Sequence, residues 1–423
     1  MDRNTHRAPT RTLQRSVPAY RSRNEPFRGA RTTGSRGGRF SGGSRGRAPS
    51  RGRGMGDHID PNRFINKAII TEKVEHFVPE HNFADFLIDE RLKANIISKG
   101  YVTPTPIQDK AIPHILKGQD VVGIANTGTG KTAAFLIPLI NKVLTQPKEN
   151  ILIVVPTREL ALQIQDELRG FIGGMKIYST VCVGGAPIGS QIRDLRYRNE
   201  FVIGTPGRIK DLIERKVLNL GHFKTVVLDE ADRMLDMGFI NDMRFMMERM
   251  QKDRHTLFFS ATLSREIEGL IKEFLKEPVM ISVKTQDTAK NVDQDVIKVS
   301  RGENKLDVLH SMLMKPDFNK VLIFGRTKHG VEKLTNILKD RGFKAESIHG
   351  DKNQSARQRA LKTFKDNKTQ ILVATDVAAR GLDISDVSHV INFDIPATYE
   401  DYVHRIGRTG RAGKKGKAFT FIE

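Results

Sequence analysis

The sequence predicts an α/β protein in which two tandem domains, each built on a parallel sheet, follow a disordered N-terminal tail. Residues 1–60 are polar and rich in arginine and glycine. From Phe83 onward, short runs of β-branched residues alternate with stretches of helical periodicity, which is typical of a parallel sheet covered on both faces. The alternation occurs in two series, and the polar, non-periodic segment Lys284–Gln294 lies between them.

The tail carries more than half of the chain's formal charge. Residues 1–54 contain 14 arginines, no lysine and two acids, so their net charge is 14 − 2 = +12 of the total +21. Such a segment cannot bury enough apolar surface to offset its chain entropy, so we expect it to be disordered. Arginine-glycine segments bind single-stranded nucleic acid through charge and guanidinium stacking. A solubilising linker is the alternative.

Composition narrows the partners and the compartment. A net charge of +21 favours a polyanionic partner. No apolar run approaches the ~20 residues of a membrane span, so no membrane partner is expected. The N-terminus lacks the apolar core of a signal peptide, although a transit peptide is an alternative. The single cysteine, Cys182, excludes an internal disulfide and is interpreted as a core residue. We expect a reducing, cytoplasmic compartment.

The two series of strands define the predicted domains. The strands of the first series are predicted at Val121–Ala125, Ile151–Pro156, Ser179–Val183, Phe201–Gly204, Thr225–Asp229 and Thr256–Ser260. Those of the second are predicted at Val296–Val299, Val321–Phe324, Lys344–Ile348, Ile371–Thr375, His389–Phe393 and Ala418–Ile422. We therefore expect a tail at 1–60, a connecting segment at 61–82, a first domain at 83–283, a linker at 284–294 and a second domain at 295–423.

A glycine-rich segment after the first strand predicts a phosphate-binding loop. It comprises Ala125, Asn126, Thr127, Gly128, Thr129, Gly130, Lys131 and Thr132. The glycines let backbone amides point at phosphate oxygens, the lysine reaches the β and γ phosphates, and the Thr132 hydroxyl is a Mg²⁺ ligand. The general pattern begins with glycine, whereas this segment begins with Ala125. A flexible surface loop is the alternative.

An acidic motif supplies the second half of a nucleotide site. The apolar strand Val226–Leu228 runs into Asp229, Glu230 and Asp232. In P-loop enzymes an aspartate at this place holds Mg²⁺, and a neighbouring glutamate orients or deprotonates the attacking water. An ordinary strand-to-helix turn with acidic capping residues is the alternative.

These motifs, in this order, resemble those of the DEAD-box ATP-dependent RNA helicases. Asp229-Glu230-Ala231-Asp232 matches the motif that names the family, and Gly100 to Gln108 matches its Q motif. The resemblance covers residues 83–423. It implies two RecA-like P-loop domains, ATP and Mg²⁺ as cofactors, and ATP-driven local unwinding of short RNA duplexes or remodelling of RNA–protein complexes. After its last motif the family usually continues into a further helix, so at Glu423 either the form is trimmed or that helix is absent.

The resemblance assigns further residues to the nucleotide. Gln108 would pair with adenine, and Phe83 or Tyr101 would pack on the base, although Tyr101 is equally well interpreted as a half-buried core aromatic. Asp383 would accept a bond from a ribose hydroxyl. Arg408 and Arg411, from a segment that matches motif VI, would act as arginine fingers.

Other matching motifs imply RNA contacts and coupling. Contacts with the RNA backbone, as single strand or short duplex, are implied for Pro156, Thr157, Arg158, Gly184, Gly185, Thr205, Pro206, Gly207, Arg208, Gln354, Arg357 and Thr375. Arg158 is alternatively a structural ion-pair partner. Coupling of the ATP site to strand separation is implied for Asp232, Ser260, Thr262 and His404, and we expect the Ser260 and Thr262 hydroxyls to bond to Asp232.

Two rival functions remain compatible with the sequence. One is a DNA-directed translocase with the same two-domain architecture, because the positive charge of the chain does not distinguish DNA from RNA. The other is an ATP-gated RNA clamp or condensate scaffold without turnover. The intact Glu230 and Arg408 favour an active enzyme over the clamp.

Overall fold

The computed structural model describes residues 64–65, 77–126, 128–146, 148–283, 292–379, 384, 386–410 and 415–422. The predictions for the tail at 1–60, for most of the connecting segment and for linker residues 284–291 lie outside the described residues. So do those for Thr127, Asp383 and Arg411.

The first domain is built on a parallel sheet of seven strands in the order β3-β4-β2-β5-β6-β1-β7. Its strands are β1 Val121–Ile124, β2 Ile151–Val154, β3 Ser179–Cys182, β4 Phe201–Gly204, β5 Thr225–Leu228, β6 His255–Ser260 and β7 Val279–Ser282. The strands β2, β4, β5 and β6 are buried along their whole length, as expected when helices cover both faces of a sheet.

The second domain is built on a parallel sheet of six strands in the order β10-β11-β9-β12-β13-β8. Its strands are β8 Val292–Lys298, β9 Val321–Phe324, β10 Ala345–Ile348, β11 Ile371–Ala374, β12 His389–Asn392 and β13 Gly416–Ile422. In both sheets the loops after the carboxyl ends of the strands share one edge, which is where ligands bind in such folds.

Helices connect the strands within each domain. The first domain has α1 Glu90–Ser98, α2 Pro106–Leu116, α3 Lys131–Thr145, α4 Arg158–Phe171, α5 Ile188–Asp194, α6 Pro206–Glu214, α7 Ala231–Asp236, α8 Ile240–Met247 and α9 Arg265–Phe274. The second has α10 Lys305–Leu313, α11 Lys328–Asp340, α12 Gln354–Lys365, α13 Asp376–Ala379 and α14 Tyr399–Ile406.

Several helices begin where a short polar side chain accepts a bond from a free amide of the first turn. Thr157 accepts from Leu160 N at the start of α4, and Thr398 accepts from Asp401 N at the start of α14. Helix α4 begins directly after a segment that the sequence assigns to function, and α14 leads into one. Their caps therefore fix the direction of these segments as well as the ends of helices.

The fold class is confirmed, and two strands differ from the prediction. The edge strand β7, Val279–Ser282, is not predicted, because only Ile281 of its side chains is buried. The strand β8 begins at Val292, inside the segment predicted as linker, because its pairing with β13 extends through polar residues such as Asp293 and Asp295. Edge strands need only one apolar face, so their sequences carry a weaker signal.

Cys182 lies in the core of the first domain, fully buried between strands and helices. Burial raises the pKa of its thiol to about 12, so the side chain stays protonated and unreactive at neutral pH. The interpretation as a core residue is therefore supported, and the reducing, cytoplasmic compartment stays a prediction. Within the described part of the chain, no helix combines the length and apolar character that a bilayer crossing requires.

Candidate nucleotide and RNA-backbone site

The predicted phosphate-binding loop lies between β1 and α3. Gly128 and Gly130 have φ values of 84° and 91°, in the left-handed region that favours glycine. Lys131 is buried, and its Nζ donates to the Ala125 carbonyl at 2.8 Å. The lysine thus folds back over its own loop, where a phosphate oxygen would be a stronger, charge-assisted partner.

The remaining described positions of the loop support its shape. The Thr129 hydroxyl donates to the Asn126 carbonyl at 2.9 Å, which closes the turn. Thr132 lies in the first turn of α3, where the helix dipole favours an anion. These positions suit phosphate binding through backbone amides, with one hydroxyl available for a cation.

Gln108, the predicted adenine partner, is bonded to the phosphate loop in this structure. Its Nε2 donates to the Gly130 carbonyl at 3.0 Å, and its Oε1 accepts from the Thr105 amide at 2.9 Å. A Cβ at position 130 would lie 2.4 Å from the same Nε2, so glycine is required for this contact as well as for its φ. Pairing with adenine stays a prediction and requires Gln108 to exchange partners.

The two aromatic candidates for the base belong to the core of the first domain. Phe83 is buried and packs edge-on against Tyr101, with ring centroids 5.8 Å apart. The Tyr101 hydroxyl donates to Glu167 at 2.7 Å, and its ring lies 5.5 Å from that of Phe171. The structure therefore gives Tyr101 the half-buried core role that the sequence left open. Contact of either ring with a base stays a prediction.

Asp229 lies buried at the end of β5. Its amide bonds to the Val154 carbonyl, and its carboxylate accepts from the Glu230 amide at 2.9 Å. Burial raises the pKa of this carboxyl to about 6, while the nearby Lys131 charge acts to lower it. Asp229 is thus a desolvated acid whose negative charge the protein compensates only in part.

Asp229 and Thr132 fit a Mg²⁺ ion. Both offer the hard oxygen ligands that Mg²⁺ prefers, and a partly compensated buried carboxylate is stabilised by a cation. Among the described residues, no group of three or more His, Cys, Asp or Glu side chains is arranged to hold a metal ion. Mg²⁺ commonly takes only one or two ligands from the protein and completes its coordination with substrate phosphates and water.

Glu230 is held by a partner that sequence reasoning missed. Its carboxylate accepts from Arg233 Nη1 at 2.9 Å, and both side chains are buried. Glu230 also has a φ of 54°, a left-handed conformation that is uncommon for residues other than glycine. The i, i+3 spacing of Glu230 and Arg233 at the start of a helix could have indicated this pair from the sequence.

Asp232 joins the acidic motif to the end of β6. Its Oδ2 accepts from the Ala261 and Thr262 amides at 3.0 and 3.1 Å and lies 3.3 Å from the Thr262 hydroxyl. The expected bond from Ser260 is not made. The Ser260 hydroxyl donates instead to the Thr262 carbonyl at 2.8 Å, a partner only two residues away.

Arg158 and the glycine pair Gly184–Gly185 form one surface at the carboxyl edge of the first sheet. A Cβ at Gly185 would overlap the Arg158 guanidinium, at 1.8 Å from Nη1, so the glycines create the space in which this arginine lies. Burial and the neighbouring Arg357 charge lower the pKa of Arg158. Among the residues that the structure describes, no carboxylate forms an ion pair with Arg158, and a positive charge beside exposed backbone is suited to a phosphate.

The other predicted RNA-contacting residues of this domain cap or brace its loops. Pro156 and Thr157 lead into α4, and Thr205, Pro206 and Gly207 form the start of α6. Arg208 Nη1 donates to Gln191 at 2.9 Å and to the Ala186 carbonyl at 3.3 Å. Arg208 therefore holds the segment after the glycine pair in place, and its contact with RNA stays a prediction.

A buried ion pair joins the two domains. Arg357 Nη2, on α12, donates to Glu159 Oε2, on α4, at 2.8 Å, and side chains of 9% and 3% exposure form the pair. Gln354 Nε2 lies 3.4 Å from the other oxygen of Glu159. Sequence reasoning assigned Arg357 and Gln354 to RNA alone and missed Glu159. The structure shows that both residues contact the first domain.

The segment that carries the predicted arginine fingers begins in α14. Arg405, which the sequence analysis did not select, makes a two-pronged contact with Asp376 at 2.6 and 2.8 Å and also donates to the Asp394 carbonyl. Arg408 is buried two residues after the helix ends, and His404 lies on α14 itself. Arg405 thus fixes α14 to α13, the helix that begins at the residue after Thr375.

We expect Asp229→Asn to stabilise the protein in the absence of nucleotide and metal, because the amide removes a desolvated charge and keeps the Oδ1 acceptor. The penalty in the wild type is present above the raised pKa of about 6 and is relieved as the pH falls towards 4. The upper limit is about 3 kcal/mol, so thermal unfolding at pH 7.5 should occur several degrees higher in the variant. The difference should shrink at pH 5. An equal difference at both pH values, or none, would contradict the account of Asp229.

Comparisons with known proteins agree with this geometry. The model of the DEAD/DEAH box helicase family matches residues 105–270, and that of the helicase conserved C-terminal domain matches residues 304–413. The first match contains the phosphate loop and the acidic motif, and the second contains α12 to Arg408. The two matches therefore cover both halves of the site.

Individual relatives extend over most of the chain. The ATP-dependent RNA helicase CshA of Listeria monocytogenes is 46% identical over 344 residues, which are 81% of this chain and 66% of that protein. The structure of Mss116p bound to ssRNA and AMP-PNP is 32% identical, with 82% and 76% of the two chains covered and a TM-score of 0.73. Dbp5 of S. cerevisiae bound to RNA and ADP BeF3 is 29% identical, with 81% and 89% covered and a TM-score of 0.70. With both family models matched in order, the chain belongs to the DEAD-box family of ATP-dependent RNA helicases.

Proposed function

We propose that this protein is an RNA-dependent ATPase that grips the RNA backbone across its two domains and locally opens short duplexes or remodels RNA–protein complexes. The observation that carries the proposal is the buried contact between Glu159 and Arg357. It joins the two domains through residues next to the surfaces predicted to bind RNA. Closure of the domains, RNA binding and completion of the ATP site would then be one event.

The chemistry of hydrolysis divides between the domains. On the first domain Lys131 binds the β and γ phosphates, and Glu230, oriented by Arg233, accepts a proton from the attacking water. On the second domain Arg408, together with Arg411 outside the described residues, stabilises charge on the phosphoryl group. Mg²⁺ bound at Asp229 and Thr132 would neutralise charge on the phosphates.

The proposed RNA surface reads backbone and not sequence. Exposed loop amides, hydroxyls and single arginines such as Arg158 hold phosphates without contacting base edges. Binding would therefore be tolerant of sequence and sensitive to salt. The same chemistry accepts DNA phosphates, so preference for RNA depends on contacts with the 2′-hydroxyl.

The first test is steady-state ATP hydrolysis with no polymer, with single-stranded RNA, and with DNA of the same sequence. Glu230→Gln supplies the blank, because it keeps the shape of the side chain and removes the base. We expect stimulation by RNA that the variant loses. Equal stimulation by DNA would indicate a translocase, and RNA binding without turnover would indicate an ATP-gated clamp.

The arginine finger is tested by separating ATP binding from turnover. Arg408→Ala should lower kcat by roughly 10³-fold or more, the usual effect of such a residue. Affinity for a non-hydrolysable ATP analogue should change by less than about 10-fold, since most of the binding groups lie on the first domain. Parallel loss of both, with an unchanged melting profile, would refute the finger assignment.

A charge swap tests the interdomain ion pair. Arg357→Glu alone places two buried carboxylates together, which should cost about 3–5 kcal/mol in the closed arrangement and lower RNA-stimulated kcat/KM by at least roughly 100-fold. Glu159→Arg combined with Arg357→Glu recreates an opposite-charge pair and should recover a large part of this loss. No recovery in the double variant would mean that Arg357 acts through RNA alone.

A further inference from the structure

An aromatic side chain from before the first domain lies in the core of the second. Phe64 is fully buried in the apolar cluster that contains Val292 of β8 and Tyr402 of α14. Its ring centroid lies 4.7 Å from that of Tyr402, at an interplanar angle of 54°. Aromatic pairs at this separation are attractive beyond the apolar area that they bury. The next residue, Ile65, is 54% exposed, so the burial is specific to Phe64.

Polar contacts also join Phe64, Tyr402 and strand β8. The Tyr402 hydroxyl donates to Gln294 Oε1, on β8, at 2.9 Å, and the Phe64 carbonyl lies 3.5 Å from that hydroxyl. Tyr402 and Gln294 are both buried. Phe64 thus fills the space between the edge strand β8 and the helix α14. Without the ring, that helix would lose its packing on the side of Tyr402.

The chain is anchored again at the first domain. The Glu80 and His81 amides donate to the two oxygens of Asp109, on α2, at 2.9 and 3.1 Å, and His81 Nδ1 lies 2.8 Å from the same carboxylate. The anchor lies beside β7, because these residues and Met280 line one cavity of about 500 Å³. Phe64 therefore lies in the core of the second domain, whereas Glu80 and His81 are bonded to the first.

The two contacts lie at strands next to which the chain passes from one domain to the other. β7 is the last described strand of the first domain, and the next residue, Val283, bonds through its amide to the Ile124 carbonyl. β8 is the first strand of the second domain. Glu80 and His81 thus lie near β7, and Phe64 lies against β8.

We propose that Phe64 is a positioning residue for Arg408, because it packs α14 against β8. Tyr402, which Phe64 contacts, lies three residues before Arg405 and six before Arg408. The anchor would thus set the position of α14. The part of the inference that concerns Arg408 rests on the proposed function, whereas the anchor itself does not.

The anchor is tested by cutting the chain between its two ends. A specific protease site is introduced within residues 69–75 of the full chain, and the purified, nuclease-treated protein is cleaved. Size exclusion follows at about 1 M salt, where charge-driven contacts are screened. We expect the N-terminal fragment to elute with the remainder of the chain. Phe64→Ala should release it, and Ile65→Ala, the exposed neighbour, should not. Elution of the fragment alone with Phe64 intact would overturn the proposal.

Positioning is tested by kinetics on the uncut chain. Phe64→Ala should lower the RNA-stimulated kcat by about 10-fold or more, since small misplacements of catalytic groups are costly, while the KM for ATP stays within about 2-fold. Phe64→Leu should keep most of the activity. If Phe64→Ala changes KM and kcat equally, or neither, the positioning role is wrong. If the wild type hydrolyses no ATP with RNA, the proposed function fails, and the cleavage test still decides on the anchor.

Discussion

The interaction on which the rest of the structure depends is the buried ion pair between Glu159 and Arg357, because it joins two domains that each hold part of the proposed site. A buried pair is weak evidence for stability, since both charges lose hydration. Its effect is on which relative arrangement of the two domains is favoured. Either charge left buried without the other would be costly, so the pair favours the joined arrangement only when the two surfaces meet in register.

Electrostatics on either side of this contact are complementary. The first domain gathers Lys131, Glu230 and Asp232 around Asp229, and burial holds the pKa of Asp229 above its usual range. The second domain brings Arg405 and Arg408 on and after α14. The acidic motif is braced locally by Arg233 and by the end of β6. Each half is therefore organised by itself, and under the proposed function the charge that phosphoryl transfer needs is completed only across the domain boundary.

Sequence patterns predicted much of this and missed what depends on distant partners. Buried strands such as β5 and the glycine-rich loop have strong local signals. A run of β-branched residues or a glycine-rich segment can be recognised in the sequence without knowledge of distant contacts. The edge strand β7 has one buried side chain and was missed. Arg405 and Glu159 were not selected because their partners, Asp376 and Arg357, are brought to them only by folding. Arg233 was missed although its partner Glu230 lies three residues away. Phe64 stands in a segment without periodicity, and only the packed structure connects it with Tyr402.

The central claim is that domain closure couples the nucleotide and RNA sites. The most direct measurement is the equilibrium affinity for a non-hydrolysable ATP analogue, with and without saturating single-stranded RNA, in the wild type and in the variant Arg357→Glu. Coupling between sites is reciprocal and typically 5–150-fold, or about 1–3 kcal/mol. The account predicts tighter analogue binding with RNA in the wild type and loss of that effect in the variant. Equal affinities with and without RNA in the wild type would contradict it.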